Sequence, residues 1–183
     1  MSTTKEAPGD LEVVRRFVNT RDIEAGTDTL GSRPDAEAWL SESGLPGASS
    51  LDGSDLQRLR SIREALRQLL LANNSGEPVP GEALAELNRQ SSEAAIGLHF
   101  DVEGSALVTR CDGADAAIAR LLAITHESMR DATWHRLKVC PADDCQWAFY
   151  DHSRNHSRTW CEMEECGNRA KARAWRERQR ASR

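Results

Sequence analysis

The clearest run of apolar positions lies between Asp55 and Asn74, where Leu56, Leu59, Ile62, Leu66, Leu69 and Leu70 recur at helical spacing. Each residue advances about 100° around a helix, so these side chains share one broad stripe and predict a helix with one side against a core. Asn73-Asn74-Ser75-Gly76 predicts where it stops. Arg63 and Arg67 fall within or at the edge of the stripe, one turn apart. A guanidinium on an apolar face needs a carboxylate, carbonyls or a ligand, unless only its stem is buried and its head reaches water. The second arrangement is expected for both arginines. The first would make a polar site inside the domain, with Asn19 as a companion.

Weaker patterns flank this helix. Leu11, Val14 and Val18 lie on one side of a helix over 11–18, and a loop follows from Gly26 to Gly31. Pro34 opens a short helix over 35–43, since proline suits the first turn, and Gly44 ends it. Residues 47–53 form a linker rich in Ser and Gly. A helix is predicted over 82–89, then a hairpin with strands 96–100 and 106–109 around Glu103-Gly104. Ile118, Leu121, Leu122 and Ile124 pattern another helix over 114–128. Near the carboxyl end the period changes. Trp147 and Phe149 alternate with Gln146 and Ala148 in a strand-like run, and residues 170–180 form helix again. The pattern predicts an α+β chain: a mainly helical amino-terminal domain with a small β hairpin over residues 1–134, then a small module over 135–183.

That module holds the chemistry. Four of the five cysteines form two C-x4-C pairs, Cys140 with Cys145 and Cys161 with Cys166. Two short loops that each offer two thiolates suit a tetrahedral zinc. Disulfides are the alternative, but nothing else in the chain points to an oxidising compartment. Four cysteines leave no open coordination position, so a single Zn2+ here is expected to be structural. A knuckle, a ribbon and a helix starting at the last ligand resemble a treble-clef finger. His152 and His156 lie close by, but the tetrahedron is already full. Trp160 is expected in the finger's core, and Cys111 is unpaired.

Charge sharpens the picture. The formal net charge is −5, yet residues 1–139 hold 15 basic and 22 acidic side chains, while residues 140–183 hold 9 and 7. The last 17 residues alone hold seven basic and one acidic. A polyanion is therefore expected to meet the carboxyl-terminal helix and not the body. Arg169, Arg173, Arg176 and Arg180 share a narrow stripe of that helix, with Lys171 and Arg178 on another side near Trp175. Ala170 and Ala174 make a small-residue face able to pack on the zinc knuckle.

Cys166-Gly167-Asn168-Arg169 is the signature tetrapeptide of the CGNR zinc-finger family. Asp151, Ser153-Arg154-Asn155, Ser157-Arg158, Trp160-Cys161 and Ala170-Lys171 also match that family. Tyr150 stands where an aliphatic residue is usual, and His156 where a small residue or Arg is common. Members of the family resemble bacterial transcription regulators, sometimes labelled stress-induced. The resemblance implies Cys140, Cys145, Cys161 and Cys166 as ligands and a finger that binds DNA. The body is similar to the ABATE domain that precedes such fingers, through Phe17-Val18-Asn19-Thr20, Ala38-Trp39-Leu40 and the run from Leu59 to Ala72. Asn19, Thr20 and Arg63 match that domain's recurrent polar residues and are its candidate ligand-site residues; the resemblance names no effector.

The expected function is a zinc-dependent regulator that binds double-stranded DNA. Asn168, Arg169, Lys171, Arg173 and Arg176 would face the groove. Arg154, Asn155 and Arg158 would hold phosphates, and Arg178 and Arg180 would steer the approach. One small finger reads few base pairs, so a homodimer fits. The rivals are a protein-docking module, an RNA binder, and a small-molecule sensor acting through the body. No P-loop, GxSxG, HExxH or credible carboxylate pair supports an enzyme. The amino terminus has no apolar core of a signal peptide and the longest aliphatic run is too short to span a membrane, so a bacterial cytoplasm, on the nucleoid when DNA-bound, is expected.

Overall fold

The computed structural model describes residues 5–181 except Ala48 and Ser50. The expected 47–53 linker therefore lies partly outside the described residues, as does Arg183 of the basic tail. The chain runs α1 (Leu11–Val18), β1 (Arg21–Asp22), β2 (Thr27–Asp28), α2 (Arg33–Glu42), α3 (Gly53–Ser75), α4 (Gly81–Glu93), β3 (Gly97–Asp101), β4 (Gly104–Val108), α5 (Gly113–Arg130), β5 (Leu137–Val139), β6 (Ala148–Tyr150) and α6 (Asn168–Ala181). The strands form three antiparallel two-stranded sheets, β1 with β2, β3 with β4 and β5 with β6.

Helix α3 is the axis of the body, in contact with α1, α2, α4, α5 and β5. A capping box starts it: the Asp52 side chain accepts from the Asp55 amide and Asp55 accepts from the Asp52 amide, so two otherwise orphaned donors are satisfied. All six leucine and isoleucine positions of its stripe are buried. Each such side chain contributes roughly 1.5–3 kcal/mol of transfer free energy. The helix runs through Asn73 and Asn74 and stops only at Gly76, which adopts the left-handed conformation. The expected loop over 26–31 contains β2 and a single tight turn, Thr29–Gly31, that buries Leu30.

Every residue of β3 and β4 except Leu107 is exposed, Phe100 by 71 %. The β5–β6 hairpin is the opposite case. Its register pairs Leu137 with Tyr150, Lys138 with Phe149 and Val139 with Ala148. Alternation sends Leu137, Val139, Ala148 and Tyr150 into the body's core. Phe149 instead joins Cys140, Cys145, Cys161 and Cys166 in a second core, with Trp147 and Trp160 packed against it. One hairpin is thus shared between the body and the finger.

Candidate metal centre and basic helix

The four cysteines of the two C-x4-C pairs converge, all buried, with their sulfurs within 4.8 Å of one another. Cys145 Sγ lies 3.5 Å from Cys161 Sγ, and Cys161 Sγ lies 3.6 Å from Cys166 Sγ. Zinc–sulfur bonds of about 2.3 Å in a tetrahedron put sulfurs about 3.8 Å apart, close to this spacing. A disulfide needs about 2.05 Å, and all five cysteines are free. The donor set is therefore suited to one zinc ion. Packed this closely, the thiols compete for ionisation. Hydrogen bonds from Cys145 and Cys161 bring Cys140 down to about 2, while the neighbouring Cys140 sulfur pushes Cys145 up to about 12 and raises Cys161 as well. A dication among the sulfurs removes that competition by letting all four be thiolates.

Local backbone shapes the two knuckles. In the first, the Cys145 and Gln146 amides both donate to Ala142 O, and the Cys140 amide donates to Trp147 O. Gln146 is left-handed, with φ +50°, so the extended run begins only at Ala148 and not at Gln146. In the second, a wide turn over Met163–Gly167 carries Cys166 into α6. A Cβ on Gly167 would lie 2.4 Å from Met163 Sδ and 3.3 Å from Trp160 Cδ1, so a larger residue here would have to displace the exposed Met163 side chain. Ala170 and Ala174 line a small groove with Pro141, Ala142 and Trp160, so the small-residue face of α6 does lie over the first knuckle.

The basic residues divide into two groups. Arg154, Asn155, Lys171, Arg173, Arg176, Arg178 and Arg180 are exposed. Arg158, expected at a phosphate, and Arg169, expected in the groove, each have protein partners. Arg158 donates to Trp160 O at 2.9 Å and to Cys161 O, and its plane lies over Phe149, 5.2 Å from the ring centre. Arg169 donates to Glu24 of the β1–β2 turn at 2.8 Å and to Cys166 Sγ at 3.2 Å. That pairing, with Glu24 first and the Cys166 sulfur second, raises its already high pKa. Asn168 donates to Glu164 O, closing the turn before α6. The physical reason for the difference is position: Arg158 sits beside the Trp160 and Cys161 carbonyls of the second knuckle, and Arg169 between Glu24 and the Cys166 sulfur.

Arg63 and Arg67 do not snorkel; they are 2 % and 1 % exposed. Arg63 forms a fork with Asp28, at 2.6 and 2.9 Å, and reaches Thr20 Oγ1 at 3.2 Å. Arg67 donates to Glu64, to Val18 O and to Gln146 O. Burial first, then opposed by Glu64, leaves its pKa below the usual arginine value. Asn19 clasps Ala148, accepting from its amide at 2.7 Å and donating to its carbonyl at 2.9 Å. The three candidate ligand-site residues, Asn19, Thr20 and Arg63, thus have protein partners, and Asn19 reaches the finger's hairpin. His152 pairs with Glu6 O and His156 with His135, and neither histidine joins the cysteine cluster.

Four further residues, Asn73, Asn74, Lys138 and Asp151, hold this seam. Asn73 and Asn74 read as a helix stop, yet both donate to backbone carbonyls of residues 134–159. Lys138 and Asp151 form a buried ion pair at 2.8 Å. Asp151 stood only among matched finger residues. A lysine between two apolar neighbours, Leu137 and Val139, was the available signal for its partner.

Two family profiles match the chain. One described as "CGNR zinc finger" covers residues 136–179. The other, ABATE, described as "Putative stress-induced transcription regulator", covers residues 11–135. No curated protein matches the chain.

Proposed function

The chain belongs to the ABATE family and carries a CGNR zinc finger, and from that premise we propose that it regulates transcription by binding double-stranded DNA through α6. One Zn2+ held by Cys140, Cys145, Cys161 and Cys166 is structural and performs no catalysis, and the protein is not an enzyme. The observation that carries the reading is the exposed row of Arg173, Arg176 and Arg180, with Lys171 exposed on another side, on a helix whose first turn is tied to the cysteine cluster. A rigidly held basic helix on an otherwise acidic molecule meets a polyanion in one orientation. Arg154 and Asn155, exposed on the turn after β6, add phosphate contacts. On this reading the protein works in a bacterial cytoplasm, on the nucleoid when bound, with two chains on one duplex, and a small-molecule effector acts through the body. No described helix is long and apolar enough to cross a membrane.

The test is duplex binding across a salt series, with metal assayed in the same sample. Neutralising about five phosphates predicts a log–log slope of about −4 to −5, a loss of roughly 10²–10³ in affinity between 50 and 200 mM salt. One zinc per chain, that slope, and loss of binding on chelation are expected. No duplex binding at low salt by zinc-loaded protein would overturn the DNA reading, and tighter competition by single strands would move it to RNA or single-stranded DNA.

A further inference from the structure

Arg67 and Asn74 sit two turns apart on α3, and their side chains hold the backbone next to Cys140 and Cys145 and two residues before Cys161. Asn74 Nδ2 donates to Val139 O, the carbonyl next to Cys140, at 2.7 Å. The same nitrogen donates to Thr159 O, two residues before Cys161, at 2.7 Å. Arg67 Nη1 donates to Gln146 O, just after Cys145, at 2.7 Å. The left-handed Gln146 is a conformation that costs a non-glycine residue about 1–3 kcal/mol and persists only when its surroundings over-determine it. Arg67 supplies part of that determination, with the bond from the Gln146 amide to Ala142 O. Its other nitrogens donate to Val18 O at 2.7 Å and Glu64 at 3.0 Å, so the buried guanidinium is held at three points.

We propose that Arg67 and Asn74 are positioning residues for the metal site: from the helical body they set the spacing of the two knuckles and hence how tightly the finger holds its zinc. The inference depends on the zinc reading but not on the DNA reading. Loss of groups that orient metal ligands from outside the coordination shell typically weakens metal binding 10–100-fold. Asn73 provides a matched control. It makes the same chemical contact from the same helix, donating to Trp134 O and Leu137 O at 3.0 Å each, but neither carbonyl adjoins a cysteine.

The experiment uses full-length zinc-loaded protein as wild type, Asn74→Ala, Arg67→Lys and Asn73→Ala. Zinc release to a chromogenic chelator is timed, unfolding free energy is measured on the same samples, and cobalt(II)-substituted protein reports the tetrahedral thiolate spectrum. Asn74→Ala and Arg67→Lys should release zinc about tenfold faster than Asn73→Ala at matched stability, with a changed cobalt spectrum. Release no faster than from Asn73→Ala, with an unchanged cobalt spectrum, would overturn the inference. Should Arg67→Lys fail to fold, Asn74→Ala decides alone. Wild type purified with no stoichiometric zinc would overturn the zinc reading and the inference with it, an outcome visible before any substitution.

Discussion

Asp151 is fully buried and ionised because three donors converge on it: Lys138 Nζ at 2.8 Å and the amides of Ser153 and Arg158 at 2.9 Å each. Burial pushes its pKa up, and the Lys138 ammonium with the Ser153 and Arg158 bonds outweighs this, holding it at about 2. Lys138 in turn donates to His156 O and Arg158 O, so one ammonium ties β5 to the loop before the second knuckle. Removing one member of a buried pair strands the other, so Asp151→Ala should cost about 3–5 kcal/mol in denaturant unfolding. The pKa in the folded state lies below the ordinary 3.8, so the contribution is complete above about pH 4 and is lost as the pH falls through about 2. The gap between wild type and Asp151→Ala should therefore narrow across that window. A constant gap would mean that the carboxylate's charge is not what stabilises. Periodicity marks Lys138 and Asp151 as two polar residues near strands. Their pairing depends on the β5–β6 register, which joins positions 13 apart in the chain.

At the scale of elements, α3 and α6 differ in what their patterns reveal. The stripe of α3 predicts its buried face, because apolar burial follows directly from helical spacing. The same stripe says nothing of where Arg63 and Arg67 point, since burying a guanidinium requires acceptors supplied by β2, the end of α1 and the first knuckle. In α6 the alanine face is legible for the same reason as the leucine stripe. The arginine row is legible only as charge. Arg169, which starts that row, is spent on Glu24 and Cys166, whereas Arg176 is exposed. Arg176→Ala should leave the fold and zinc content intact, weaken duplex binding and reduce the salt slope by about 1. Arg158→Ala should instead destabilise the finger, because it leaves the Trp160 and Cys161 carbonyls without their donor. Circular dichroism and metal assay beside the binding isotherm separate the two. An Arg158→Ala protein with wild-type stability and weak DNA binding would return that residue to the phosphates.

In the whole molecule, body and finger share a core and a hydrogen-bonded seam. Leu137, Val139, Ala148 and Tyr150 belong to the body's core although they flank the first knuckle, and Asn19, Arg67, Asn73 and Asn74 bind backbone on the finger's side of the seam. Metal binding is folding free energy in such modules. Chelation, or Cys161→Ser, should therefore lower the midpoint of the main helical unfolding transition and not merely melt α6. An unchanged midpoint in far-ultraviolet circular dichroism with EDTA would show two independent units. The amino-acid order was enough to specify the helices, the cysteine quartet and the placement of positive charge at one end. Each depends on local spacing: one residue's angular step, two cysteines within a turn, a run of like charges. The seam required the folded chain. Its partners lie up to 146 residues apart, and a backbone carbonyl, the acceptor in most of these contacts, has no signature in sequence because every residue carries one.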